Sequence, residues 1–156
     1  MVEEQIDWRK TVEAILENAN RPFVPISKSF IQQPRGSKER SSVLSQFVTN
    51  GDLRGLKAYL LIAASASSPD TDNEWYTSLP LQTWARAFGC SETAGSVATA
   101  KAAATRILLR LQQRGLIEKS RCGKERKIKI KLLAQDGSGE EYQRPASRYI
   151  RLSHDF

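Results

Sequence analysis

The sequence predicts a mainly helical α+β chain with a small antiparallel β element and a helical extension at its N-terminus. Three observations predict it. Apolar residues recur at helical spacing through residues 6–19, 39–49, 53–67 and 81–88, and again towards residue 114. After Gly115 the period drops to two, and Lys127-Ile128-Lys129-Ile130-Lys131-Leu132 alternates charged with apolar residues as a half-buried strand does. Glycines stand where the last two helices have to stop.

Taken in order, residues 6–19 place Ile6, Val12, Ile15, Leu16 and Ala19 on one stripe with acids opposite, an amphipathic arm. That arm packs either on its own chain or on a second copy. Pro22, Pro25 and Pro34 make the next stretch a linker, and its apolar Phe23-Val24-Pro25-Ile26 and Phe30-Ile31 lay it against the core. Residues 39–49 form a short helix burying Val43, Leu44, Phe47 and Val48. Asp52 caps a central core helix from Leu53 to about Ser67, apolar on most sides. Pro69-Asp70-Thr71-Asp72-Asn73 is a loop, and Trp75 to Leu79 makes a short strand. Residues 81–88 form a short helix that buries Leu81, Trp84, Ala85 and Phe88 and exposes Gln82 and Arg86, with Gly89 in the left-handed position behind it. The following helix runs to Arg114 and buries Ile107, Leu108 and Leu111. Leu116-Ile117 opens a hairpin whose tip is residues 121–126. Asp136-Gly137-Ser138-Gly139 is a turn, because it lacks both the lysine and the helix that a phosphate loop requires. The domain reading is therefore an arm and linker over 1–35 and a folded domain over 39–156. Within it lie a helix-turn-helix at about 80–115, a hairpin at about 116–133 and a last strand at about 148–153.

Charge points to the partner. The chain carries a net +7, and the first twenty residues net −3. Residues 101–131 hold eleven Lys and Arg against Glu118 and Glu125, a net +9 in one segment. Ordinary solvated faces mix their signs, so this block reads as a footprint for a polyanion. No apolar run is long enough for a membrane span, residues 1–15 are too acidic for a signal peptide, and the expected place is the cytoplasm, at the nucleoid. Cys90 and Cys122 fit free thiols, and with one histidine and no CxxC there is no metal-ligand spacing. No nucleophile with a base, paired carboxylates or cofactor loop stands out, so neither enzyme nor cofactor is expected. Trp8, Trp75 and Trp84 read as core or interface aromatics, since nothing interleaves them with the basic run.

Helix, tight exit, longer helix, then basic hairpin is the order of a winged helix-turn-helix. The run Ala104-Thr105-Arg106-Ile107-Leu108-Leu109-Arg110-Leu111-Gln112-Gln113-Arg114-Gly115-Leu116-Ile117 resembles the recognition helix and following strand of bacterial winged-helix regulators, a likeness covering about residues 76–133. Here Glu92 to Thr99 intervenes before the recognition helix, as either an extra turn or a lengthened helix. The whole chain resembles an actinobacterial, plasmid- and phage-associated winged-helix family of unassigned role. That likeness rests on Phe23-Val24-Pro25-Ile26-Ser27-Lys28-Ser29-Phe30, Leu56-Lys57-Ala58-Tyr59-Leu60-Leu61 and Asp136-Gly137-Ser138-Gly139. It implies a further winged-helix domain or partner protein beyond residue 156.

The expected partner is double-stranded DNA, bound by a transcriptional regulator or a replication or partition factor. Lys101, Thr105 and Arg106 face the groove, Arg110 meets a phosphate, and Arg121, Lys124, Arg126 and Lys127 of the wing reach the neighbouring backbone. Ala98, Ala100, Ala102, Ala103 and Ala104 keep that helix slim enough for close approach to DNA or a neighbouring helix. A homodimer through the arm or the 53–67 helix would read paired half-sites. The alternatives are a protein–protein adaptor that binds an acidic partner and an RNA-binding module.

Overall fold

Three of the helices start at a side chain that caps their first turn, and a fourth starts directly after a proline. A computed structural model describes residues 8–19, 26–32, 41–67, 75–122 and 127–142. The helices are α1 (Trp8–Ala19), α2 (Lys28–Ile31), α3 (Val43–Thr49), α4 (Leu53–Ser65), α5 (Leu81–Ala87), α6 (Cys90–Thr93) and α7 (Val97–Gln113). The strands are β1 (Tyr76–Pro80), β2 (Ile117–Cys122) and β3 (Lys127–Leu132). Ser42 caps α3 by accepting the Ser45 N–H, and Asp52 caps α4 by accepting the Gly55 N–H at 3.0 Å. Pro80 ends β1 and sits at the N-cap of α5 with φ −60°, so the strand turns directly into the helix. Over the described residues the chain is mainly helical with one small antiparallel sheet.

The sheet is three-stranded, in the order β1-β3-β2, and antiparallel throughout. Ile130 is paired with Thr77 and Lys119, and Leu132 with Ile117. Ile130, Leu132, Ile117 and Thr77 are buried, which puts one face of the sheet on the helices. Lys129 stands on the other face, its ammonium 4.5 Å from the centroid of the Tyr76 ring.

One apolar cluster runs through all the layers, joining Phe47, Tyr59, Ile62, Trp84, Phe88, Leu108 and Leu111 to Ile130 and Leu132. Ile15 of α1 and Phe30 of α2 belong to the same cluster. The N-terminal segment is therefore part of the core, and α1 packs on α4 and α5 of its own chain. Phe30 stacks on Tyr59 at 5.3 Å, and the Ser27 N–H donates to the side-chain oxygen of Gln135, which ties the former linker to the far end of the sheet. Residues 28–31 wind into a helical turn where the sequence suggests only linker.

Several expected contacts differ. Val48 is 62% exposed and Leu44 is half-buried, because α3 is short and shows the core little more than Val43 and Phe47. Ile31 and Leu16 are exposed while their neighbours Phe30 and Ile15 carry the contact. Gln82 and Arg86 are half-buried, since α5 is packed by α1 as well as by α7. The strand expected at 148–153 lies outside the described residues, as do Ile6 and the prolines 22, 25 and 34. Among the described residues, no helix is long and apolar enough to cross a membrane.

Candidate nucleic-acid interface

Two short devices aim α7. Gly89, at φ +80°, turns the chain out of α5 in a conformation that L side chains rarely adopt. The four-residue α6 follows, and the chain then leaves the helical region at Ala94 and Ser96. Ser96 restarts the helix, accepting the Thr99 N–H at 3.2 Å while its hydroxyl lies 2.9 Å from that of Thr99. The intervening residues thus form an extra turn, and α7 begins at Val97. Ser96→Ala is expected to lower stability by about 1 kcal/mol. Urea unfolding checks it, and an unchanged midpoint would mean that α7 does not need its cap.

From that start the faces of α7 follow at 3.6-residue spacing. Ala100, Ala104, Ile107, Leu108 and Leu111 are buried. Ala98, Thr99, Ala102, Arg106, Leu109, Arg110 and Gln113 are exposed. The alanines therefore divide by function of position: two fit against the core, and Ala98 and Ala102 keep the outward face low. Arg106 stands near the middle of that outward face. Lys101 and Thr105 lie at one margin and are half-buried. The Thr105 hydroxyl donates to the Lys101 carbonyl at 2.9 Å, and Lys101 borders a 120 Å³ hollow with Gln82, Ser91 and Ser96.

Arg110 lies at the other margin and is held. Its guanidinium donates to Asp52 through Nη2 at 2.9 Å and Nε at 3.4 Å, and Arg114 reaches the same carboxylate at 3.8 Å while lying 4.5 Å over the Phe47 ring. Arg110 keeps 43% of its side chain exposed, against 12% for Asp52. Burial alone would raise the Asp52 pKa. The Arg110 bond, the Gly55 N–H and the two guanidinium charges outweigh it and hold the carboxyl below its ordinary value.

The hairpin continues from the C-terminus of α7 through Gly115, which has φ +74°. Its two strands are in register from Ile117↔Leu132 to Cys122↔Lys127, and the Lys119 N–H is accepted by the Gln112 side chain, which fixes β2 to the end of α7. Lys127 is exposed and pairs with Cys122, while Arg121 pairs with Ile128. Lys124 and Arg126 lie outside the described residues. Of the expected site residues, the fold thus places Lys101, Thr105, Arg106 and Arg110 on one helix and Arg121 and Lys127 on the attached hairpin.

Two cations escaped the sequence reading. Arg54 is exposed and Lys57 half-buried on α4, one turn apart, next to the capping Asp52 that holds Arg110. Their three-residue spacing inside the run Leu53-Arg54-Gly55-Leu56-Lys57 was the available signal, masked by the apolar character of the rest of α4. The buried Cys90 thiol has its pKa pushed up by burial and eased down by the charges of Arg54, Arg106, Arg110 and Lys57. Among the described residues, no group of three or more His, Cys, Asp or Glu side chains gathers as a metal site. Comparisons with family models, curated proteins and solved structures find no match for the chain.

Proposed function

We propose that the chain is a winged helix-turn-helix protein that binds double-stranded DNA through the outward face of α7 and the β2–β3 hairpin. The observation that carries this is the joining of the +9 segment, residues 101–131, into one helix and the hairpin directly attached to it. Supporting the fold reading is the order α4-β1-α5-α6-α7-β2-β3 with β1 paired to β3, in which α5 and α7, joined through the single turn α6, are followed by a sheet-anchored hairpin. Supporting the partner is the shape of α7. A helix with Ala98 and Ala102 on its outer face can enter a major groove about 12 Å wide. Arg106 projects there with a fork that suits guanine edges or phosphate. Lys101 and Lys127 then add sequence-independent attraction to the backbone. The role that follows is transcriptional regulation, or replication or partition of a plasmid or phage, in the cytoplasm at the nucleoid.

The test is fluorescence anisotropy with a labelled random duplex across a salt series, for the native chain and for Lys101→Ala/Arg106→Ala/Lys127→Ala. The native affinity is expected to fall steeply with salt. The triple variant should flatten the log–log slope by up to about 2.7, at roughly 0.9 per lost phosphate contact. Duplex binding that is absent, or indifferent to these three residues, defeats the reading. A matched RNA duplex bound more tightly than DNA would move the assignment to RNA.

A further inference from the structure

The cations of α4 lie next to those of α7 because Asp52 joins the two helices. Its carboxylate caps α4 at Gly55 and takes Arg110 at 2.9 Å, so the outward margin of α7 is pinned to the first turn of α4. The pinning is tight: a Cβ on Gly55 would lie 2.3 Å from Asp52 Oδ2, so glycine leaves the room that the carboxylate occupies. Arg54 follows Asp52 by two residues and is exposed, and Lys57 follows one turn later, half-buried beside the exposed Leu53. The charges of Arg54, Arg106, Arg110 and Lys57 all act on the buried thiol of Cys90, in keeping with a single patch built from two helices. Arg54 and Lys57 also make contacts within the chain, and the patch needs only their charge and reach.

We propose that the nucleic-acid surface extends from α7 onto the first two turns of α4, where Arg54 and Lys57 contact the phosphate backbone beside the groove that Arg106 enters. The inference rests on the duplex-binding reading above. A helix seated in a groove has a strand of phosphates along each margin, and contacts to these fix register without reading sequence. Lys101 serves one margin of α7. At the other margin Arg110 and Arg114 share the Asp52 carboxylate, and the cations of α4 add to the charge on this side. An acidic protein surface would also be attracted to the patch, but the patch borders the slim outward face of α7, which suits a groove flanked by phosphates.

The experiment is the same anisotropy salt series with Arg54→Ala/Lys57→Ala, run beside Arg106→Ala. The α4 variant is expected to bind the random duplex, and a duplex selected in vitro from a random pool for tight binding to the native chain, alike about tenfold more weakly at low salt, with the slope flattened by up to about 1.8. Arg54→Gln/Lys57→Gln keeps side-chain length and replaces it if the alanine variant melts early. Native affinity and slope in the α4 variant, with Arg106→Ala impaired, would overturn the extension and leave the α7 reading standing. Native binding in both variants would remove the reading and the extension together. Loss of binding to the selected duplex alone would assign Arg54 and Lys57 to base recognition and overturn the phosphate role.

Discussion

Gly115→Ala is expected to destabilise the protein by about 2–5 kcal/mol. The left-handed conformation costs an L side chain about 1–2 kcal/mol, and overpacking a tight site adds roughly 1–3. The backbone holds φ at +74°, and a Cβ there would meet the Gly137 carbonyl oxygen at 2.6 Å and the Gly139 nitrogen at 3.1 Å. Neither atom can move like the end of a flexible side chain, because both belong to the turn that closes the Asp136–Gly139 segment. That turn is fixed by the Ser138 N–H donating to Asp136 at 2.9 Å and by the Ala134 N–H donating to the Glu140 carbonyl. For a chain of 156 residues, the melting temperature should fall by roughly 10 °C. Gly51→Ala is the control: its φ is +65°, but nothing lies within 4 Å of the added carbon, so only the conformational cost of about 1–2 kcal/mol remains. Thermal melts followed by circular dichroism compare the two. Equal losses would mean that the turn yields to Gly115 and that the close approach is not rigid. Because Gly115 carries the chain from α7 into β2, the same substitution should also loosen the hairpin relative to the helix and, on the duplex-binding proposal, weaken duplex binding at temperatures well below the melt.

Asp52→Ala is expected to cost about 2 kcal/mol, from a lost N-cap worth about 1 and the lost partner of two guanidinium groups. Asp52→Asn separates the two effects. Asparagine caps a helix nearly as well as aspartate, so this variant loses the charge and keeps most of the cap. The pH dependence identifies the charge. Arg110, the Gly55 N–H and Arg114 hold the Asp52 carboxyl below its ordinary value of 3.8 despite its burial. A depressed folded-state pKa stabilises the fold above the unfolded value, and the contribution is lost as pH falls through the folded one. The stability gap between the native chain and Asp52→Asn should therefore stay constant from neutral pH to about pH 5 and close below the ordinary carboxylate range. A gap that persists unchanged to pH 2 would show that the carboxylate charge contributes nothing. The variant also removes the acid that engages Arg110, and on the duplex-binding reading it should raise affinity for random duplex several-fold at low salt.

The local features of the fold were legible because local physics sets them. Asp52 as a cap, the helix-ending glycines at 89 and 115, and the alternation from Lys127 to Leu132 each follow from backbone geometry within a few residues, and each is present. Trp84, Ile107, Leu108 and Leu111 were legible as core for the same reason, since helical spacing assigns them to one face. The break at Ala94 to Ser96 was half legible: serine caps well and Gly95 disfavours a helix interior, but a single glycine is tolerated within a helix, and propensity alone does not decide.

By itself, then, the sequence determined the helix-rich α+β class, the position of most turns, the inward residues of α7 and the hairpin, and the concentration of positive charge in residues 101–131. Tertiary structure decided which cations share a surface. Arg110 meets Asp52 across 58 positions of chain, and that contact joins the first turn of α4 to the margin of α7. It also decided that α1 and α2 join the core and that Val48 and Leu53 stay in solvent at 62% and 69% exposure. Periodicity assigns a residue to a face of its own helix. Which faces are covered depends on where the other helices lie, and that is set by packing between segments far apart in the chain.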